Sequence, residues 1–363
     1  MANPVLDIQA AEIILPCSDI AESLEFFNDK LGFKLQTIFP SDDPQIAVLM
    51  GHGITVRLAR QYDGEAGTIR LLSNDPDLIG THMTAPNGTE IVFNNANPPL
   101  VVPPPTSELV ISKLHDESRN REQWTVGRAG MKYRDLIPSR LGGHVIASHI
   151  AIPNAGPVGD YVHYHKVHFQ MIFCFKGWVD VLYEDNGGLR KITPGDCFLQ
   201  PPQIRHRVME ASDGLEVVEV SIPSAHMTFP DHNMDLPNPQ VQPDRTYGGQ
   251  KFVHHVAEGK PWMPWRLDGF EARDIEINEA TNGVADVKVS RPVSAPKSIK
   301  LKHDCPMLFN FVLAGTMQLD GKDLEAGDSY VMPPNREHTM SDFSDDFQLL
   351  EVAVPAGFKT TVL

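Results

Sequence analysis

Short apolar runs separated by glycine, proline, asparagine and aspartate make up most of this 363-residue chain. Most runs are too short for ordinary helices and are bounded by turn formers, which is the punctuation of an all-β chain. Within the run that follows Gln170, strand alternation puts Ile172 and Cys174 on the face of Gln170 and Phe169, Met171, Phe173 and Phe175 on the other. One segment departs from this rhythm. Ile20, Leu24, Phe27 and Leu31 recur at helical spacing, Asp19 stands where a cap is needed, Glu22 follows three residues later and Gly32 ends the pattern. Strands are expected around that helix at 12–15, 45–50, 54–60 and 89–94, giving the order βαβββ.

Beyond a proline-rich linker at 97–108, the pattern repeats. Trp124 and Arg128 recur as Trp262 and Arg266, Arg134 and Asp135 as Arg273 and Asp274, and Gly195-Asp196 as Gly327-Asp328. Pro201-Pro202 and His206 recur as Pro333-Pro334 and His338, and Glu219 and Pro223 as Glu351 and Pro355. Ordered matches over so long a unit imply two copies of one β domain in tandem. The expected division is a module at 1–96, the linker, a first barrel at 109–235 and a second at 250–363.

Histidines carry the candidate chemistry. His163 and His165 are two residues apart, so a strand presents both imidazoles on one face, and His206 can supply a third. Gln170 follows on the next strand, and His168 falls between these positions. Isolated histidines such as His52, His82, His115, His226 and His232 read as packed or solvated side chains. In the second copy, with Gly315 set opposite Gly177, His303 stands opposite His165, but Leu301 and Leu308 stand opposite His163 and Gln170. Two imidazoles, His303 and His338, bind a metal poorly even with Cys305 or Asp304 nearby, so the second copy is expected to be degenerate.

The stretch HYHKVHFQ, with Gly177, the Pro194-Gly195-Asp196 turn and His206, resembles the two-part signature of the cupins, G-x5-H-x-H-x3-4-E-x6-G followed by a further histidine. Gln170 stands where that family has glutamate. The resemblance implies jelly-roll barrels, here a bicupin, with a metal held by His163, His165, His206 and Gln170. Residues 9–95, through SDIAESLEFFNDKLGF and APNGTEIVF, resemble one module of the vicinal oxygen chelate family, which includes glyoxalase and bleomycin-resistance proteins. In that likeness Glu12 takes the first-strand ligand position, and Val92 stands where a last-strand glutamate is expected. The fold class is therefore mainly β, an N-terminal α+β βαβββ module followed by two tandem cupin barrels.

Composition narrows the function. A formal net charge of −16 argues against nucleic-acid and anionic-membrane partners. No apolar run of transmembrane length appears and the first residues lack signal-peptide order, so a cytoplasmic protein is expected. The four cysteines, Cys17, Cys174, Cys197 and Cys305, are scattered without CxxC spacing and read as free thiols. Three neutral imidazoles and an amide leave a divalent metal's charge uncompensated, which favours an anionic chelating substrate. The donor set suits Fe(II), with Zn(II), Mn(II) or Ni(II) as alternatives. Three-histidine iron is a known variant among the cupin dioxygenases that the chain resembles. The leading expectation is a dioxygenase acting on a hydroxylated aromatic acid or β-dicarbonyl. The alternative is a redox-neutral isomerase or lyase using Tyr164, His168 or Tyr183 as acid or base, and the third is a non-catalytic small-molecule-binding bicupin. Arg134, Arg205 and Arg207 are the cations considered for a substrate carboxylate, and a homodimer is expected.

Overall fold

The computed structural model describes residues 7–115, 124–294 and 296–363, and the chain divides into two compact units, Met1–Pro99 and Leu100–Leu363. Among the described residues no helix is long and apolar enough to cross a membrane.

In the first unit the capped helix forms as the spacing predicts. It runs over Ile20–Glu25, the Asp19 carboxylate accepts the Glu22 N–H at 3.0 Å, and Gly32 leaves it with a positive φ of 74°. A π-helical turn, Phe26–Lys30, adds one residue to the last turn, so Phe26 and Phe27 are both buried. Strands Ile13–Pro16, Lys34–Phe39, Ile46–Gly51 and Ile54–Ala59 complete a four-stranded sheet in which the first and last are parallel neighbours. Lys34–Phe39 was not anticipated because it is an exposed edge strand, with Leu35 and Phe39 pointing outward and no buried alternation to read. The βαβββ order thus closes at Ala59. The strand expected at 89–94 forms as Glu90–Asn95 but belongs to a separate three-stranded sheet with Thr68–Ser73 and His82–Thr84. The two positions weighed as ligands are therefore not neighbours on one sheet. Glu12 is engaged by Arg57 Nε at 2.5 Å, while Val92 pairs with Arg70 and His82.

The second unit is two β-barrels built to one plan. The larger sheet of the first barrel runs Val253–His255, Cys197–Leu199, Phe169–Lys176, Leu215–Ile222, Ile146–Ile152, Lys132–Asp135 and Trp124–Val126. That of the second runs Val110–Ser112, Ser329–Met332, Met307–Ala314, Gln348–Val354, Asp286–Pro292, Phe270–Asp274 and Met263–Pro264, strand for strand the same order. The edge strands are exchanged. Val110–Ser112, expected to open the first barrel, is an edge of the second, and Val253–His255, expected to open the second, is an edge of the first. Each barrel's larger sheet is thus completed by the segment that precedes the other.

Two turns lock the exchange. The Asp328 carboxylate accepts the Leu114 N–H at 2.7 Å, and the equivalent Asp196 carboxylate accepts the Ala257 N–H at 2.7 Å. Arg134, fully buried, donates to the Gly327 carbonyl, which makes it a structural tie between barrels. The outer faces of the two larger sheets share one core, in which Phe169, Met171 and Phe173 meet Phe309, Phe311 and Val352. This is the outward face that alternation from Gln170 predicts, and each such ring contributes about 1.5–3 kcal/mol by burial. Gly177 and Gly315 occupy matching turns at φ 71° and 68°, where an added Cβ would lie 3.0 Å from Leu215 Cα and 2.7 Å from Phe347 N. Glycine is required there both by backbone conformation and by space.

Candidate metal centre

His163–His165 is a three-residue strand of the smaller sheet, held between two neighbours. His163 pairs across it with His206, the first residue of His206–Ala211, and His165 pairs with Thr228 of Thr228–Pro230. The Pro201-Pro202 turn brings the chain back so that the Gln203 N–H donates to the His165 carbonyl at 3.1 Å, which fixes the approach to His206. Each of the three histidines offers a ring nitrogen, and these atoms all lie within 4.8 Å of one another.

Backbone and side-chain partners set the tautomers. Nδ1 of His163 lies 2.8 Å from the Tyr161 carbonyl and Nδ1 of His206 lies 3.1 Å from the Ile204 carbonyl. A carbonyl only accepts, so both Nδ1 atoms carry the proton and both Nε2 atoms are left with lone pairs. His165 Nδ1 is held by the Thr228 hydroxyl at 2.8 Å. Among the described residues His163 Nε2 is buried with no hydrogen-bond partner, a costly state for a polar atom unless an ion completes it. Burial, reinforced by the neighbouring imidazoles, holds His206 well below its ordinary pKa and lowers His165 to about 2, while His163 is lowered by burial and then by Arg128. All three rings are neutral near pH 7 and present three nitrogen donors that fit a divalent ion.

His165 and His206 of the cluster line a cavity of about 390 Å³ in the first barrel. Ile150, Ile172, Val181, Phe198, Leu215 and Val217 make most of its lining apolar. Gln170 faces it, 2% exposed, and its Nε2 donates to Glu219 at 3.1 Å, leaving Oε1 as the end available to an ion. Glu219 also accepts from the Ser221 hydroxyl at 2.9 Å and lines the same cavity. The expected ligand set of three imidazoles and an amide is neutral; this carboxylate stands beside the amide and lines the same cavity.

The proposed acid–base residues separate. Tyr183 lines the cavity, fully buried, its hydroxyl accepting from Gln200 Nε2 at 2.8 Å, and burial pushes its phenol well above the ordinary range. Tyr164, between His163 and His165, points to the opposite face as alternation requires; it stacks on Phe229 and lies under Arg205. His168 is exposed and does not line the cavity. Cys174 faces the interior but is sealed in the core, its thiol directed at the Lys176 and Gly177 carbonyls. The cavity's cation is Arg128, paired with Asp160, rather than Arg134, Arg205 or Arg207. His226 and Thr228 also reach the site, from a segment whose sequence gave no signal of it.

The second barrel shows what the first has kept open. Its interior leaves about 10 Å³, with Leu301 and Leu308 buried where His163 and Gln170 stand in the first copy. Arg266, counterpart of Arg128, crosses that interior and takes Glu351, counterpart of Glu219, in a two-pronged ion pair, with Nη1–Oε1 at 2.6 Å. Its Nε donates to Thr360 at 2.8 Å. His303 and His338 are 6.2 Å apart by ring centroids, and Cys305 is turned to the Met307 carbonyl. Among the described residues the His163, His165 and His206 set is the one cluster of three such ligands.

No family model and no curated protein sequence matches the chain. Solved structures do. A variant of the Bacillus subtilis oxalate decarboxylase superposes with a TM-score of 0.51 at 12% identity, over 73% of this chain and 82% of that one. Salicylate 1,2-dioxygenase from Pseudoaminobacter salicylatoxidans, in its gentisate adducts, superposes with a TM-score of 0.50 at 16% identity, over 72% of this chain and 87% of that one. At such identities the likeness is one of fold. With the repeated sheets and the exchanged edge strands, it shows that the C-terminal unit has the tandem double-barrel fold of the bicupins.

Proposed function

We propose that the first barrel holds one divalent metal on His163, His165 and His206, with Gln170 Oε1 in reach, and that with iron bound the protein is a dioxygenase of small chelating anions. The observation that carries this reading is the convergence of three neutral imidazoles, two of which, His165 and His206, line a cavity of about 390 Å³, within the roughly 300–1,000 Å³ typical of small-molecule sites. His163, His165 and His206 would hold the ion, and a ferrous ion there would supply Lewis-acid and redox chemistry to a chelated substrate. The chain's own residues do the rest. The apolar lining excludes water and accepts a ring or short hydrocarbon frame. Tyr161, Ile204 and Thr228 hold the imidazoles in the orientation that binding needs. The Glu219 carboxylate, anchored by Ser221, orients the Gln170 amide. A hydroxylated aromatic acid or a β-dicarbonyl fits this combination of size, chelation and apolar surface.

A redox-neutral isomerase or lyase is the second reading, favoured by Glu219, a cavity-facing carboxylate able to move a proton. Metal analysis of protein purified without added metal, with oxygen uptake on a panel of hydroxy-acids and diketones, separates the two. Iron with substrate-dependent uptake supports the dioxygenase. Zinc or manganese with turnover and no uptake supports the second reading, and protein that binds no metal at all overturns both.

A further inference from the structure

The two barrels carry the same arginine and the same glutamate, yet one encloses about 390 Å³ and the other about 10 Å³. Arg128 and Arg266 each follow the first residue of matching loops. One loop is closed by the Gly127 N–H on the Met131 carbonyl at 2.8 Å, the other by the Trp265 N–H on the Phe270 carbonyl at 3.0 Å. From that position Arg266 reaches across its barrel to Glu351. Arg128 and Glu219 both line the open cavity, but Arg128 is paired instead with Asp160, a fully buried carboxylate outside the lining. Asp160 is itself fixed to the strand His206–Ala211, where its Oδ2 accepts the Val208 N–H at 3.0 Å. The second barrel has no carboxylate for this part, since its matching strand, Ser298–His303, reads SIKLKH. Glu219 accepts from Gln170 and Ser221, both neutral donors and both on Oε1, so Oε2 can take a guanidinium.

We propose that Asp160 is a positioning residue that keeps the first barrel open by anchoring Arg128 at its wall. Two carboxylates compete for one guanidinium. Asp160 is the more deeply buried, and stranding its charge costs more than leaving Glu219 to face the cavity, so the pair at the wall wins. Without the Asp160 charge, Arg128 crosses to Glu219 as Arg266 does to Glu351, and occupies space that a small molecule would take. The inference needs neither a bound metal nor a particular substrate, so it stands or falls apart from the reaction proposed above.

The test uses the metal-free full chain and Asp160→Asn, which removes the charge but keeps an oxygen for the Val208 N–H. A crystal structure of this variant should show the Arg128 guanidinium within about 3 Å of the Glu219 carboxylate. Thermal melts ask the same question in solution. With Asp160 present, the Tm shifts of Arg128→Met and Glu219→Gln should add to within about 1 °C. With Asp160→Asn in the background, the chain carrying both should melt about 3 °C or more above the additive expectation, the scale of one ion pair lost once rather than twice. Arg128 still at the wall or turned to solvent in the variant, or a departure from additivity no larger than with Asp160 present, overturns the proposal. An Asp160→Asn chain that does not fold overturns it as well, since Arg128 has then found no partner in Glu219.

Discussion

Replacing Arg266 by leucine should destabilise the second barrel strongly, and the structure sets the scale. The Glu351 side chain is 5% exposed and its carboxylate is held by the Arg266 guanidinium, itself 25% exposed. Removing one partner of a buried ion pair costs about 3–5 kcal/mol because it strands the other charge. The guanidinium's partial exposure places this pair at the lower end, about 3 kcal/mol. A loss of that size lowers Tm by roughly 6–12 °C in a unit of this length. Replacing both partners, Arg266→Met with Glu351→Leu, removes the stranded charge and should restore all but about 1 kcal/mol. Calorimetry of the two variants checks this, since it follows each unfolding transition separately. If the single variant costs less than about 1 kcal/mol, or the double variant is as unstable as the single, the pair is not what fills the second barrel.

Stability should fall on acidification. His149, His255 and His303 are buried, and burial lowers the pKa of each, that of His303 to about 4. A histidine with a lower pKa folded than unfolded contributes stability that is complete above about pH 6.5 and is lost as pH falls toward the folded value, at up to about 1.4 kcal/mol per unit for each ring. Tm measured from pH 7 to pH 5 should drop steadily, and a flat profile would contradict the assignment of neutral buried rings. Gln170→Glu sets a second carboxylate beside Glu219, where Nε2 and Oε1 are now 3.1 Å apart; melts with and without zinc should show a lower metal-free Tm and a larger zinc-induced rise than wild type.

The parts of this molecule that were legible in the sequence are those whose signal is local. His163 and His165 on one strand, the turn glycines Gly177 and Gly315, and the ordered repeat from Trp124 to Pro223 each constrain the backbone within a few residues, and the structure places them as that constraint requires. Long-range pairing was not legible. Val110–Ser112 reads as a strand, but nothing in it says that its partner is Ser329–Met332 rather than a strand of the barrel it precedes. His226 and Thr228 enter the site through cross-strand register with His165, which a one-dimensional pattern does not display. Arg128 and Glu219 were seen only as repeated residues. Their shared identity with Arg266 and Glu351 concealed that one pair of positions frames a cavity and the other fills it.

Metal stoichiometry per chain in wild type, His206→Ala and His338→Ala tests the central claim most directly. His206 belongs to a converging set of three nitrogen donors, whereas His338 has His303 at 6.2 Å and buried leucines around it. The account predicts one metal per chain in wild type, about one in His338→Ala, and essentially none in His206→Ala, with thermal melts confirming that each variant is folded. A wild-type value near two that is halved by His338→Ala, or full occupancy in folded His206→Ala, would contradict it.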